Sequence, residues 1–496
     1  MQKKTVDLPE IVFTSSNAAE ARRISRLAKS GDLRKIAPKI YTSNVHKSSV
    51  MLIQENWRKI IAHLYPGAVV SHRTAFMGGQ PVDNTVFITA SLTKNMLLPG
   101  LTICLLKGKS ATNYDMPLPE DGLYLSSEAR YLMENLQPAR TQKTISKSIG
   151  VEKLERYIEK IIRNRGEKSI NKIRDQAKQI SKELEMVAEY KLLDKIIGAL
   201  LSTKNDYNLL SDAGKNRAAG TPYDPNRLDL FEILFTHLRN SYIEQTPLIA
   251  ASAPTEDFWR NAAFYDAYFS NYIEGTDFLI EEAKSIVFDG KLIKGRVSDS
   301  HDVLGTYRVL NDHTEMFKRP NSADEFIVSL KYRHHAIMGF RHDINPGEFK
   351  NINNRAGNTE FVYPELVEGT LKKGFNYYQQ LDDGFQKAAF MMFMVTEVHP
   401  FIDGNGRLSR VFMSAEMLSN KQPRIIVPTV YRDDYLLTLR RLTREGDAEP
   451  YIRMLLRIAK FTAAIDFSNL AIAKKQLTAC HAFMSPNEGM LVMPDF

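Results

Sequence analysis

The residues best able to do chemistry lie together, in His399-Pro400-Phe401-Ile402-Asp403-Gly404-Asn405-Gly406-Arg407-Leu408-Ser409-Arg410. His399 can titrate near neutral pH and take a proton from a hydroxyl nucleophile. Asp403 is a hard oxygen ligand suited to Mg²⁺, which usually binds through one or two carboxylates completed by phosphates. Gly404, Asn405 and Gly406 form a short loop that can take positive φ and let a ligand approach the backbone. A helix opening near Arg407 leaves free N–H groups that favour an anion. Arg407 and Arg410 are three apart and share one face of that helix. Two fixed guanidinium forks beside an anion hole suit a polyphosphate.

Flanking elements must hold this loop. The apolar run Ala388 to Val395 reads as a buried helix that Pro400 stops, with His399 at its end. Upstream, Ser270 and Glu274 are i, i+4 on one helical face. Residues 351–367 read as a hairpin with a Gly357-Asn358 turn and Thr359 to Tyr363 extended. His334, His335 and His342 lack metal-ligand partners at sensible spacing and read as structural.

The loop matches the Fic-family signature HPFx(D/E)GNGRxxR at every specified position, and the chain resembles that family. Fic proteins mostly transfer AMP from ATP to a hydroxyl side chain of a protein. The resemblance implies His399 as general base, Asp403 as the Mg²⁺ ligand, and Gly404 to Gly406 as the anion hole, with Asn405 on the α-phosphate. Arg407 and Arg410 would hold the β- and γ-phosphates, and Phe401 would anchor the loop. An acidic residue at the Asp403 position favours nucleotidyl transfer. Ser270-Asn271-Tyr272-Ile273-Glu274-Gly275 is similar to the family's inhibitory pattern, (S/T)xxxE(G/N). It implies that Glu274 pairs with Arg410 in space the γ-phosphate needs, a carboxylate competing with a phosphate for one fork.

Asn345 to Lys350 (NPGEFK) is similar to the segment leading into the family's target-docking flap, with Lys350 in place of the usual Arg. The flap residues Thr359, Glu360, Phe361 and Val362 would hold a target segment by β-augmentation, its hydroxyl near His399. Tyr431-Arg432-Asp433-Asp434-Tyr435 resembles the segment bordering the nucleotide pocket, which puts Tyr435 on the adenine side. The implied cofactor is Mg²⁺ with ATP as substrate, and the partner is a protein Ser, Thr or Tyr hydroxyl, the chain itself included. Two other readings stay open: a DNA-binding regulator whose Fic module senses ATP, and a Fic site that removes AMP with Glu274 positioning water.

The 496-residue chain is long enough for two or three domains. With 43% hydrophobic and 25% charged residues it has globular composition and no low-complexity bias. Cys104 and Cys480 are its only cysteines, which excludes a disulfide framework or a CxxC metal site and suits a reduced cytoplasm. The first residues show no apolar leader, and no run reaches membrane-spanning length. The net charge of +8 is uneven, about +11 over residues 1–250 and about −3 over the rest. In the basic half, Ser16 or Asn17 can cap a helix running to about Ser30. LRKIAPKIYTS then alternates as a hairpin across Pro38. With VVSHRTAF (Val69 to Phe76), this region resembles the N-terminal part of AbiEi-type antitoxins, which repress transcription. That resemblance implies a winged helix that meets DNA through Arg22, Arg23, Arg26 and Lys29, with Lys35 and Lys39 on the wing.

The expected fold is mainly α: a Fic helical core with a β-hairpin flap, preceded by a small α+β, winged-helix-like domain. The expected boundaries are 1–125 for the basic domain, 126–228 for a helical connector, 229–470 for the Fic domain and 471–496 for a tail.

Overall fold

The computed structural model describes residues 8–14, 17–139, 145–204, 206–240, 255–357 and 359–495. Ser16 and Asn358 lie outside the described residues. The chain divides into two units, residues 1–219 and 220–496.

In the first unit, Asn17 caps the helix Ala18–Lys29 through its side chain, which accepts from the Ala19 and Glu20 amides. A three-stranded antiparallel sheet follows, in the order Ile11–Phe13, Ile40–Thr42, Arg34–Ala37. Its hairpin turns at Pro38 and Lys39, and Lys39 takes a φ of 66°. The helix Ser49–Leu64 buries Leu52, Ile53, Trp57, Ile60 and Ile61 in one core with the inner strands of a six-stranded mixed sheet. That sheet runs Lys94–Leu98, Leu101–Lys107, Thr85–Ala90, Ala68–Val70, Leu123–Leu125, Met116–Pro117.

The helical stretch expected as a connector belongs to this unit. The helices Glu128–Glu134, Val151–Ser181 and Val187–Leu200 close their apolar stripes on one another, around Leu132, Leu154, Ile158, Leu193 and Ile197. The segment from Leu210 to Arg227 contains a short helix, Asp212–Ala218, capped by Ser211.

The second unit is helical around one core. At its centre the helix Gly384–Val398 packs along Asn405–Ser419. Asp383 caps the first, accepting from the Phe385 and Gln386 amides. Its residues from Ala388 to Val395 are buried on every face, as a central helix requires. The helices Glu256–Ile273 and Val297–Asn311 pack on each other, and Ala323–Met338 packs on Val297–Asn311. Gly305 permits that second contact, because a Cβ there would stand 2.4 Å from the Ile337 carbonyl oxygen. The expected tail is part of this core: the helix Leu470–Ala479 and the residues after it bury Ala473, Leu477, Cys480, Ala482 and Leu491. Among the described residues no helix is long and apolar enough to cross a membrane.

Candidate active site

The loop between the two central helices starts from an unusual backbone. Val398 ends the first helix, and His399 takes φ 52°, ψ 60°, a left-handed conformation rare for a side chain with a Cβ. This turn sets the ring at the loop's mouth. His399 Nδ1 lies 3.3 Å from the Thr396 carbonyl oxygen, so Nδ1 carries the proton and Nε2 is the acceptor. Phe361 stacks on the ring at 3.8 Å. Burial, reinforced by the nearby Lys350 charge, pushes the His399 pKa down to about 4. The imidazole is therefore neutral at physiological pH and able to accept a proton.

The loop is braced from below. Phe401 is fully buried and stacks on His334 at 3.8 Å. His334 Nδ1 accepts from the Gly347 amide at 2.9 Å, and its Nε2 donates to the Asp403 carbonyl at 3.0 Å. Burial lowers the His334 pKa to about 4, so it stays neutral and holds the loop. On the other side, Lys350 N–H donates to the Pro400 carbonyl. Its buried Nζ donates to Asn354 Oδ1 at 2.6 Å, and Asn354 Nδ2 donates to the Phe401 carbonyl. Burial pulls the Lys350 pKa down to about 7.

Gly404 opens the next helix at φ 79°, with no side-chain cap on the helix N-terminus. A Cβ at Gly404 would stand 2.8 Å from Met338 Cγ. The first-turn N–H groups have no intrahelical partner. Arg407 and Arg410, 4% and 2% exposed, lie in this helix. Arg410 is held by the helix Glu256–Ile273: Nε donates to Ser270 Oγ at 2.9 Å and Nη2 to the Ser270 carbonyl at 2.9 Å. Nη2 also pairs with Glu274 Oε1 at 2.6 Å. Gly275, at φ 93°, and the Thr276 N–H bond to the Asn271 carbonyl end that helix and present Glu274 at its tip. A Cβ on Gly406 would meet Glu274 Oε1 at 2.1 Å, so the carboxylate rests directly on Gly406 at the uncapped helix start. Burial would raise the Glu274 pKa, but the Arg410 and Arg407 charges outweigh it and hold the carboxyl below its usual value.

Arg407 has a different carboxylate. Its Nη1 lies 3.3 Å from Asp302 Oδ2 and 3.0 Å from Met338 Sδ. Asp302 is 1% exposed. Burial drives its pKa up to about 6 although Arg407 and Arg341 oppose the rise. Arg341 Nη1 binds the same Asp302 Oδ2 at 3.2 Å, and its Nη2 binds Asp403 Oδ2 at 3.2 Å. Asp403 Oδ1 accepts from the Gly404 amide at 2.6 Å.

Several expected site residues thus converge here: His399, Asp403, Gly404, Gly406, Arg407, Arg410, Ser270 and Glu274. Three do something else. The Asn405 amide braces the loop itself: its Oδ1 accepts from the Phe401 N–H and its Nδ2 donates to the Phe401 carbonyl. Tyr435 is 1% exposed and has no surface to offer a base; Arg410 Nη1 reaches its hydroxyl at 3.4 Å. Val362 is fully buried and belongs to the core. The flap is a short pair of strands, Arg355–Ala356 against Thr359–Glu360. Beside it lies a cleft of about 450 Å³ lined by Arg227, Thr359, Glu360, Thr443 and Arg444. The Glu360 carbonyl already accepts from Arg227. The sequence reading missed Asp302 and Arg341. The available signal was Asp302 itself, a carboxylate on the stripe that also holds Gly305, Thr306 and Val309.

Residues 327–417 match the Fic/DOC family. The chain carries a Fic domain. A protein adenylyltransferase Fic of Nematostella vectensis is 25% identical over 252 residues, 48% of this chain and 58% of that protein. The protein adenylyltransferase fic-1 of Caenorhabditis elegans is 25% identical over 203 residues, 40% of each chain. The chain thus spans between 40% and 58% of the length of these curated relatives. Among solved structures, a Fic-domain signalling protein of Bacteroides thetaiotaomicron is 18% identical with a TM-score of 0.36. The alignment covers 50% of this chain and 97% of that one.

The donor set of this Fic site fits a metal-bound polyphosphate. It offers one half-exposed carboxylate, Asp403, a helix start without a side-chain cap, and an Arg407 Nε that is buried with no hydrogen-bond partner among the described residues.

Proposed function

We propose that this protein is an adenylyltransferase that moves AMP from ATP to a Ser, Thr or Tyr hydroxyl of a target protein or of itself, and that Glu274 holds it in check. The observation that carries this reading is the seat on Gly406. An uncapped helix start, flanked by a neutral His399 and two buried arginines, already receives an anion, the Glu274 carboxylate. A phosphate has the same charge and bonding preference.

In the reaction, the target hydroxyl oxygen attacks the α-phosphorus and its proton passes to His399 Nε2. The bond from that phosphorus to the bridging oxygen breaks, and pyrophosphate leaves. Arg407, Arg410 and the first-turn N–H groups hold the phosphates and stabilise the developing charge. Asp403 would hold Mg²⁺, which when bound neutralises phosphate charge. Catalysis here is largely orientation, so a carboxylate in the phosphate seat silences the site without touching His399. The target's strand would add to Thr359–Glu360 and displace Arg227 from the Glu360 carbonyl. Two free thiols suit a reducing compartment such as the cytoplasm.

The test is transfer of label from α-labelled ATP with Mg²⁺, to the protein itself and to host lysate. Label strongest in Glu274→Gly and absent in the Glu274→Gly, His399→Ala double variant supports the reading. Label that persists in the double variant removes His399 as the base. No label in any form removes the adenylyltransferase assignment.

A second activity rests on the first unit. Arg22, Arg23, Arg26 and Lys29 are all exposed on one helix, and none forms an ion pair among the described residues. Lys35 and Lys39 are exposed on the adjoining hairpin. We propose that this face binds DNA phosphates. Affinity of the full chain for duplex DNA should fall steeply with salt, and Arg22→Ala with Arg26→Ala should flatten that slope by about two counterions. A slope that the double substitution leaves unchanged would remove this face as the contact.

A further inference from the structure

Arg341 stands where a metal ion would have to compete. Its guanidinium bridges two carboxylates, Asp302 Oδ2 and Asp403 Oδ2, each at 3.2 Å. Its Nε lies 4.0 Å from the exposed Asp343. The bridge is built on a fixed post: Asp302 is 1% exposed, while Asp403, at 41% side-chain exposure, is the open end. Arg407 shares Asp302 Oδ2 with Arg341, at 3.3 Å. Asp302 Oδ1 and Arg407 Nε are buried without hydrogen-bond partners among the described residues, so this cluster is incompletely satisfied as it stands.

We propose that Arg341 is a built-in counter-cation for Asp403 that closes the cation site to free metal and yields it to metal arriving with a polyphosphate. The inference rests on the reading of Asp403 as the metal's carboxylate. Two arginines and two aspartates balance in charge around Asp302, so a free divalent cation meets a carboxylate that is already neutralised, with a like charge beside it. A polyphosphate changes the balance at Arg407. When Arg407 turns its fork to phosphate, Asp302 loses one of its two arginines and holds Arg341 alone. The bridge then draws towards the buried carboxylate and away from the exposed one. Nucleotide and metal thereby favour each other through a single buried aspartate, and neither loads well alone.

The probe is Mn²⁺, read by the electron paramagnetic resonance signal of the free ion, in the full-length chain without nucleotide. Wild type should bind weakly and Arg341→Gln about tenfold more tightly or better. Arg341→Lys, which keeps the charge, should stay near wild type. Adding Asp403→Asn to Arg341→Gln should abolish the gain. Unchanged Mn²⁺ affinity in Arg341→Gln, with an unaltered circular dichroism spectrum and melting transition, overturns the proposal. With a non-hydrolysable ATP analogue present, the gap between wild type and Arg341→Gln should shrink; a gap that keeps its size overturns the coupling through Arg407. If Asp403→Asn leaves Mn²⁺–analogue binding unchanged, the fault lies with the placement of the metal at Asp403, whatever Arg341 does.

Discussion

Two arginines one turn apart on the same helix are held by two quite different carboxylates. Glu274 reaches Arg410 from the tip of a helix, with a side chain 27% exposed, and its carboxyl titrates below the usual value. Asp302 reaches Arg407 from the middle of a helix, at 1% exposure, and its carboxyl titrates above the usual value. Both are acid–arginine pairs on the helix Asn405–Ser419, yet their environments shift the two carboxyls in opposite directions. Glu274 is favourably charged and partly open to water. Asp302 is a desolvated charge kept in place by two cations and by the helix that carries it. On the proposed function, the first would serve as a lock and the second as a frame.

The sharpest way to break the comparison is to remove each carboxylate in turn and follow transfer. Glu274→Gly should raise the rate by roughly tenfold to a hundredfold, the size of an ordinary coupling between competing sites. Asp302→Asn should not activate, because it frees Arg407 from its frame without clearing Gly406. Equal activation by both substitutions would erase the distinction.

Stability against pH should separate them next, through urea unfolding of wild type and the two amide variants. A carboxyl raised on folding favours the native state at low pH, so the Asp302 contribution should fade as pH rises from about 4 towards 6. A carboxyl lowered on folding does the reverse, so the Glu274 contribution should be present above about pH 4.5 and fade below it. The two difference curves should slope in opposite directions.

A smaller effect belongs to the base. With His399 pushed down to about 4, the acid limb of kcat/KM in the Glu274→Gly form should lie well below the ordinary histidine value. Lys350→Met removes a nearby positive charge and should move that limb upward; a limb that stays put would leave burial as the only cause. The smallest expected change is from Tyr435→Phe. It removes one long hydrogen bond from Arg410 and should alter the KM for ATP by the equivalent of about 1 kcal/mol at most. The preference for ATP over GTP should not change, and a switch would restore Tyr435 to the base pocket.

The local parts of this site were legible in the sequence because local rules make them. Pro400 after an apolar run forces the helix end that sets His399, and Gly404 and Gly406 open the next helix. The Ser270 and Glu274 spacing puts both on Arg410 because the helix repeat does so. What could not be read depends on partners far apart along the chain. Arg341 meets Asp403 across 62 residues, and Arg410 meets Ser270 across 140. No periodicity within a window specifies such pairs, and only a known motif made the second one visible. The bracing contacts of Asn405 and Tyr435 were hidden for another reason: polar residues beside a ligand site and polar residues bracing it look alike until burial is known. Val362 likewise reads as an exposed strand position, and the core takes it. The connector was misjudged because a charged amphipathic stripe does not reveal whether it closes on its own neighbours or on another domain.

Gly406 has a consequence for how this protein can change by mutation. The Glu274 carboxylate lies so close over Gly406 that a Cβ there would stand 2.1 Å from its Oε1, and on the proposed function a phosphate takes the same seat. On that reading, a larger residue at position 406 would crowd the Glu274 carboxylate and the phosphate alike. A genetic selection for hyperactive alleles should therefore return changes at codon 274, and none at codon 406, however many clones are sequenced.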